Sequence, residues 1–94
     1  MNFGEAIEHM KRGFRATRKG WNGKDMWVSR TPGRILELGK DSIWTENVRK
    51  AAADNGGVIE FLPYLSLKNA DNKMCIGWLA SQTDILAEDW EIVE

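Results

Sequence analysis

Five tryptophans must be accommodated by a chain of only 94 residues. A domain of this size buries about 60–65% of the surface that its unfolded chain exposes, so its hydrophobic core is thin. The tryptophans therefore either fill most of that core, because aromatic side chains dominate core burial, or remain available for binding. Deciding between these alternatives for each tryptophan largely decides the fold and the function.

The length predicts a single domain over residues 1–94. The formal net charge of −1 argues against a partner such as DNA or RNA, because nucleic-acid binders need a basic surplus. The chain has neither an apolar stretch that could span a membrane nor an N-terminal secretion signal. Its single cysteine, Cys75, excludes an intrachain disulfide and fits a reducing compartment. We therefore expect a soluble, intracellular protein.

Periodicity and turn residues predict an α+β fold, with an N-terminal helix packed on a mainly antiparallel sheet and an extra central helix. Asn2 and Glu5 form a capping pair for the first helix, and Gly13 ends it. Asn22-Gly23 predicts the turn of a hairpin. The predicted helices are Phe3–Arg12, Glu46–Asp54 after a Thr45 cap, and a short helical turn from Ser81. The predicted strands are Phe14–Arg18, Met26–Arg30, Arg34–Leu38, Val58–Leu62, Tyr64–Lys68, Met74–Trp78 and Trp90–Val93, with loops at Lys19–Asp25 and Gly39–Ser42.

Three of the tryptophans are expected to have structural roles. Trp27 and Trp90 lie in predicted strands and are expected in the core or at an interface, whereas Trp44 precedes the central helix and can pack on its first turn. Cys75 lies in the apolar run Met74-Cys75-Ile76. We expect it to be a buried strand residue rather than a nucleophile, because buried structural thiols are usually inert.

The other two tryptophans lie in polar segments, Arg18-Lys19-Gly20-Trp21-Asn22-Gly23-Lys24 and Trp78-Leu79-Ala80-Ser81-Gln82-Thr83-Asp84. This mixture suits a nucleotide-like ligand, because indoles stack on bases and amides read base edges. The expected contacts are stacking by Trp21 and Trp78, amides of Asn22 and Gln82, hydroxyls of Ser81 and Thr83, a ribose acceptor in Asp84, and phosphate-binding Arg18, Lys19 and Lys24. Two alternatives stay open on chemistry alone. The indoles can fill the core, and the second segment can be a capped turn in which Asp84 is a structural acceptor.

Catalysis finds no support in the sequence. The only histidine, His9, falls on the polar side of the first helix without a local partner, as a surface histidine does. Glu88 and Asp89 are adjacent, so they point apart on a regular element and are interpreted as solvated surface charges or as a turn cap. No Cys/His cluster has zinc spacing, and no glycine-rich phosphate loop is present. The expected sets of catalytic residues, metal ligands and cofactors are therefore empty.

The motifs also carry a family resemblance. The N-terminal Met-Asn-Phe-Gly-Glu-Ala helix is followed by Ala16-x-Arg18-x-Gly20-Trp21-Asn22-Gly23-Lys24, and then by Trp78-x-x-Ser81-Gln82-x-Asp84-x-Leu86-Ala87-x-Asp89-Trp90. In this order they resemble the small phage and prophage family, long described as a domain of unknown function, that includes the Thoeris anti-defense 2 proteins. The central segment 37–59 resembles the family less, and we interpret it as a variable insertion that holds the extra helix.

The resemblance implies a non-enzymatic sponge in the cytoplasm of the host bacterium. Such proteins sequester a cyclic ADP-ribose isomer made by a TIR-domain enzyme, so the Thoeris effector is never activated. They are homotetramers with ligand pockets between subunits, and some relatives hold cyclic oligonucleotides at a separate site. Carried onto this chain, the resemblance assigns stacking to Trp21 and Trp78. It assigns polar contacts to Asn22, Ser81, Thr83 and Asp84, with Gln82 and Arg18 as further candidates.

Three hypotheses follow from the sequence. The first is a sponge for a glycocyclic ADP-ribose isomer or another cyclic oligonucleotide signal. The second is an enzyme that degrades the nucleotide, for which the sequence offers no catalytic group. The third is a protein–protein inhibitor or assembly module that uses its tryptophans as binding hot spots.

Overall fold

The computed structural model describes residues 1–39 and 43–94. The chain folds into two compact units, Met1–Thr31 with Tyr64–Glu94, and Pro32–Pro63. Residues 40–42, most of the predicted loop Gly39–Ser42, lie outside the described residues. The described elements are α1 (Phe3–Lys11), β1 (Arg15–Arg18), β2 (Trp27–Thr31), β3 (Arg34–Glu37), α2 (Glu46–Asp54), β4 (Val58–Phe61), β5 (Tyr64–Lys68), β6 (Met74–Ile76), α3 (Gln82–Leu86) and β7 (Trp90–Val93).

Helix α1 begins and ends at the residues that favour these positions. The Asn2 side chain accepts the Glu5 N–H, and the Glu5 side chain accepts the Asn2 N–H, which completes a capping box. Gly13 follows the C-cap with φ +94°, a left-handed conformation that glycine adopts without a Cβ clash. The predicted N-terminal helix is thus confirmed, one residue shorter at its C-terminus.

The first unit contains a five-stranded antiparallel sheet in the order β6-β5-β2-β1-β7. The hairpin predicted at Asn22-Gly23 is present, because β1 pairs with β2, and β5 pairs with β6 in a second hairpin. Strand β7 pairs with β1 along its length, with Arg18 opposite Trp90. The C-terminal strand therefore returns to the first strand of the sheet and brings the two polar tryptophan segments together.

The core lies between α1 and one face of this sheet. Ala6 and Met10 of α1 pack on Ala16 of β1, Val28 of β2 and Trp90 of β7, each at most 1% exposed. Half-buried side chains surround this centre, among them those of Trp21 and Trp78. Because adjacent strand residues point to opposite faces, Trp27 lies on the sheet face away from this core. Trp90 is thus a core residue as expected, whereas Trp27 is half-buried with the Arg15 guanidinium 5.4 Å from its ring.

The second unit is a β3–β4 hairpin with helix α2. Thr45 caps α2 by accepting the Val48 N–H, and Asn55 with Gly56 ends it, as the sequence predicts. The Leu38 N–H donates to the Gly57 carbonyl just beyond the paired strands, where the connection that contains α2 begins and ends. Trp44 packs edge-on against Phe61 of β4, with ring centroids 4.7 Å apart.

The predicted burial of Cys75 is wrong. Cys75 is exposed, not buried. It lies on β6, the edge strand of the sheet, whereas α1 packs on β1, β2 and β7 at the other end. The apolar run around Cys75 reflects strand propensity rather than burial.

Among the helices of residues 1–39 and 43–94, none combines the length and the apolar composition needed to cross a bilayer.

Candidate ligand-binding site

The pairing of β1 with β7 and the cap of α3 build the candidate site. Arg18 ends β1 and lies opposite Trp90, the first residue of β7, on the same face of the sheet. The chain then turns, and the backbone N–H of Trp21 donates to the Arg18 carbonyl at 3.3 Å. Ser81 caps α3 by accepting the Asp84 N–H, while the Asp84 carboxylate accepts the Ser81 N–H.

Asp84 is the centre of this site. Its Oδ1 accepts hydrogen bonds from Arg18 Nη1 at 2.7 Å and from Trp21 Nε1 at 3.0 Å. Its backbone carbonyl accepts the indole N–H of Trp90 at 2.9 Å. The side chains of Arg18 and Asp84 are each only 13% exposed, so this ion pair is well shielded from water. One aspartate therefore fixes two indoles and one guanidinium.

Asp89 holds the other side of Arg18. Its Oδ1 accepts Arg18 Nε at 2.8 Å, and its Oδ2 accepts the Gly20 N–H at 2.7 Å. Its backbone carbonyl accepts the Lys19 N–H at 3.2 Å. A Cβ at Gly20 would lie 2.8 Å from Asp89 Oδ2, so the close approach requires glycine. The turn that leads into Trp21 is thus tied to Asp89 at three successive residues.

The tryptophans of the site pack on one another at steep angles. The rings of Trp21 and Trp78 lie 6.2 Å apart with an interplanar angle of 75°, and Trp21 meets Trp90 at 5.3 Å and 78°. Such edge-to-face pairs are favourable for aromatic rings. No flat ring fits between Trp21 and Trp78 in this arrangement. Both are half-buried, so a ligand can stack only on their outward surfaces.

The ionisable groups of the site stay charged. Burial of the Asp84 carboxylate favours its neutral form, but the hydrogen bonds from Trp21, Arg18 and Ser81 outweigh burial and lower the pKa of Asp84. The hydrogen bond from Arg18 lowers the pKa of Asp89, and the bonds to Asp89 and Asp84 raise the pKa of Arg18. Two carboxylates and one guanidinium give this triad a net charge of −1.

The remaining predicted contacts lie on the exposed rim. Asn22 follows Trp21. Ser81 is the N-cap of α3, and Gln82 and Thr83 are the first two residues of that helix. All four residues are exposed. Among the described residues the indole N–H of Trp78 has no hydrogen-bond partner, in contrast to those of Trp21 and Trp90.

The predicted cations differ in how far they are already engaged. Arg18 is committed to two carboxylates. Lys19 pairs with Glu91 at 3.3 Å on the surface, and Lys24 is exposed beyond the turn.

The ion pair of Asp89 with Arg18 is a feature that the sequence did not predict. Of the two interpretations of the acidic pair Glu88-Asp89, the solvated surface charge is wrong for Asp89, because its half-buried carboxylate accepts Arg18 Nε and the Gly20 N–H. Arg18 ends a strand whose partner strand begins at Trp90, and only the pairing of these two strands reveals the role of Asp89. A cation on the core face of a sheet needs a carboxylate nearby, and Asp89 directly precedes that partner strand.

Chemical groups for catalysis do not converge on this cluster. His9 lies on α1, where its Nδ1 is 2.8 Å from the Glu5 carbonyl and its ring meets Phe14 edge-on. Within residues 1–39 and 43–94 no group of three or more histidine, cysteine, aspartate or glutamate side chains is placed to hold a metal ion.

A second concave surface lies on the opposite face of the sheet. It is an open depression of about 490 Å³ lined by Arg15, Thr17, Asp25, Met26, Trp27, Lys68 and Val93. Trp27 thus provides a tryptophan on the same sheet that is separate from the Trp21 cluster.

The fold and the site define a small α+β protein with an ion-paired aromatic cluster on the helix-covered face of its sheet. A family model described as the Thoeris anti-defense 2-like domain matches residues 1–93. A protein of Bacillus phage SP01 named Thoeris anti-defense 2 is 38% identical over 93 residues, which cover 99% of this chain and 94% of that relative. The chain therefore belongs to the Thoeris anti-defense 2-like family, as its motifs indicated. The interpretation of residues 37–59 as an insertion, and of the whole chain as one domain, stays a prediction.

Proposed function

We propose that this protein inhibits bacterial Thoeris defence by binding and sequestering a cyclic ADP-ribose-type nucleotide, a glycocyclic isomer, in the host cytoplasm. Membership of the Thoeris anti-defense 2-like family supports the inhibitory role. The observation that carries the proposal is the pair of half-exposed indoles, Trp21 and Trp78, beside exposed amides and hydroxyls. Binding without chemical conversion is the proposed mode of action.

The geometry favours a particular mode of stacking. Because Trp21 and Trp78 contact each other edge-to-face, the adenine stacks on an outward ring surface rather than between the two rings. The unpartnered indole N–H of Trp78 is a donor for the ligand's polar edge. The rim residues Asn22, Ser81, Gln82 and Thr83 provide the polar contacts. Asp84 belongs to the site through its bond to the Trp21 indole, and Arg18 through its bond to Asp84.

The affinity that a sponge needs implies a further wall. Competition with an effector for a scarce signal requires nanomolar binding, about −12 kcal/mol. Stacking on aromatic side chains contributes about 1–3 kcal/mol per base. An open surface on one chain leaves most of the ligand in water, so we propose that a second copy of the chain closes the site in a homo-oligomer, a tetramer. Light-scattering mass measurement tests this assembly.

Calorimetric titration with a panel of cyclic ADP-ribose isomers, cyclic dinucleotides and cyclic trinucleotides tests the proposed function. We expect one cyclic ADP-ribose isomer to bind at nanomolar affinity, and heat denaturation to release it unchanged. Trp21→Ala and Trp78→Ala are expected to abolish binding. Trp27→Ala, which removes an indole from the opposite sheet face, is the matched control and should bind normally.

The other results of the titration have distinct meanings. Tight binding of a cyclic oligonucleotide alone would change the identity of the ligand and would still support a sequestering function. Recovery of a cleaved product would indicate an enzyme and overturn the proposal.

A protein–protein inhibitor or assembly module is the second candidate. Three exposed apolar side chains flank Trp78 and α3, namely Ile76, Leu79 and Leu86, which are 66%, 89% and 69% exposed. Where exposed apolar side chains form one contiguous patch, they mark an interaction surface. This function predicts that no nucleotide of the panel shifts the melting temperature, while Trp21→Ala abolishes capture of a protein partner.

A further inference from the structure

A continuous series of polar contacts leads from Asp89 to the indole of Trp21. Asp89 Oδ1 accepts Arg18 Nε at 2.8 Å, Arg18 Nη1 donates to Asp84 Oδ1 at 2.7 Å, and the same Oδ1 accepts Trp21 Nε1 at 3.0 Å. We propose that Asp89 and Arg18 are positioning residues that fix the Trp21 ring for the ligand, and that Arg18 does not itself bind the ligand's phosphates. The inference rests on the proposed function, because it concerns the same site.

The guanidinium of Arg18 is already committed. Two of its three nitrogens donate to two different carboxylates, and its side chain is 13% exposed. Charge-assisted bonds of this length are the strong ones. Only Nη2 is left to meet a phosphate, on a side chain that is largely shielded from water. The triad of Arg18, Asp84 and Asp89 also carries a net charge of −1, which repels an anion. The geometry thus suits Arg18 for holding side chains in place rather than for binding phosphates.

Asp89 also controls the backbone that leads into Trp21. Its carboxylate accepts the Gly20 N–H at 2.7 Å, and its carbonyl accepts the Lys19 N–H at 3.2 Å. The Trp21 ring is therefore fixed from two sides, by Asp89 through the backbone of the two preceding residues and by Asp84 through the indole N–H. Preorganisation of this kind raises affinity by lowering the cost of ordering the site.

Asp89→Asn distinguishes positioning from phosphate binding by the sign of its effect. If Arg18 bound phosphate directly, loss of the Asp89 charge would free the guanidinium and tighten the binding of an anionic ligand. If Asp89 and Arg18 position Trp21, the same change loosens the ring, and we expect affinity to fall by about tenfold, which corresponds to ~1.4 kcal/mol. Glu88→Gln is the matched control, because it removes the same charge from the adjacent residue, whose exposed side chain lies outside the triad.

Gly20→Ala supplies a second variant without a change of charge. The added Cβ would lie 2.8 Å from Asp89 Oδ2 and push that carboxylate away from its partners. We expect it to weaken binding in the same direction as Asp89→Asn.

A ligand-free measurement separates failure of this inference from failure of the proposed function. The ¹H–¹⁵N spectrum contains one indole N–H signal for each of the five tryptophans, and Trp21→Phe identifies that of Trp21. Asp89→Asn and Gly20→Ala are expected to move this signal away from the position typical of a carboxylate-bound indole, whereas Glu88→Gln leaves it unchanged.

The binding arm uses the cyclic ADP-ribose isomer that binds the wild-type protein most tightly. Weaker binding together with a moved Trp21 signal supports the inference. Unchanged or tighter binding by Asp89→Asn, or a Trp21 signal unmoved by both variants, overturns it. If no isomer binds the wild-type protein, the proposed function fails, and the ligand-positioning role fails with it even where the Trp21 signal moves.

Discussion

The indole nitrogen of Trp21 lies 3.0 Å from Asp84 Oδ1, although 63 positions separate the two residues in the sequence. Arg18 donates to the same oxygen at 2.7 Å, and the Trp90 indole donates to the Asp84 carbonyl at 2.9 Å. Asp84 therefore has a structural role, while the neighbouring side chains of Ser81, Gln82 and Thr83 stay exposed for a ligand. The cap of α3 and the orientation of the Trp21 ring depend on the same carboxylate.

Asp84→Asn is expected to destabilise the protein by about 1–3 kcal/mol, the cost of leaving shielded donors without their acceptor. The substitution removes the charge that pairs with Arg18, and the carboxamide has one acceptor oxygen in place of two. Urea denaturation followed by tryptophan fluorescence measures the change. Asp71→Asn, at an exposed aspartate in the turn between β5 and β6, is the control and should alter stability little. Equal stability of the two variants would contradict the role given to Asp84.

Stability is expected to decrease as the pH falls below about 5, where the carboxylates of the unfolded chain begin to take up protons. The pKa values of Asp84 and Asp89 are lowered in the folded protein, so their contribution is fully present above the unfolded pKa and is lost as the pH falls through the folded pKa. The measurement is the free energy of unfolding between about pH 6 and pH 2. The double variant Asp84→Asn/Asp89→Asn should show a flatter profile than the wild-type protein. Parallel profiles would mean that other carboxylates carry the acid sensitivity.

Trp90→Ala is expected to cost about 3–5 kcal/mol, the range for removing a large buried aromatic side chain. Trp90 is 1% exposed, packs against Phe3 at 5.3 Å, and donates to the Asp84 carbonyl. Thermal unfolding or urea denaturation measures the loss. Trp27→Ala, at a half-buried position on the other sheet face, serves as the comparison and should cost less. A larger loss of stability at Trp27 would contradict the placement of the core on the sheet face that holds Trp90.

Cys75 is expected to react with a thiol reagent in the native protein, because it lies exposed on the edge strand β6. Titration without denaturant should detect one thiol per chain at a rate close to that of the unfolded protein. Protection that disappears only in denaturant would show that β6 is covered, for example by another copy of the chain.

The local elements of the fold could be predicted from the sequence because their signals are local. Asn2 with Glu5, Gly13, and Thr45 with Asn55–Gly57 mark helix ends through bonds between residues a few positions apart. The strands β5 and β7 agree with their predicted bounds, β2 is shifted by one residue at both ends, and the others differ by one or two residues at one end. The exposure of Cys75 could not be predicted this way, because an apolar run does not specify whether its strand lies at the centre or at the edge of a sheet.

The candidate site was only partly predictable. Trp21, Trp78 and Asp84 could be selected because each stands in an unusual polar setting. Their mutual geometry could not, since it depends on β7 pairing with β1. The role of Asp89 could not be predicted for the same reason. Its carboxylate acquires a function only when Arg18 and Gly20 lie beside it.

The sequence by itself determined the helix caps, the turns, the class of fold and the family, because these depend on residue type and order along the chain. Only the tertiary structure decided which polar side chains are consumed by internal bonds and which remain exposed. A hydrogen bond requires two atoms within about 3 Å, and the atoms that meet at Asp84 and Asp89 come from segments more than 60 residues apart.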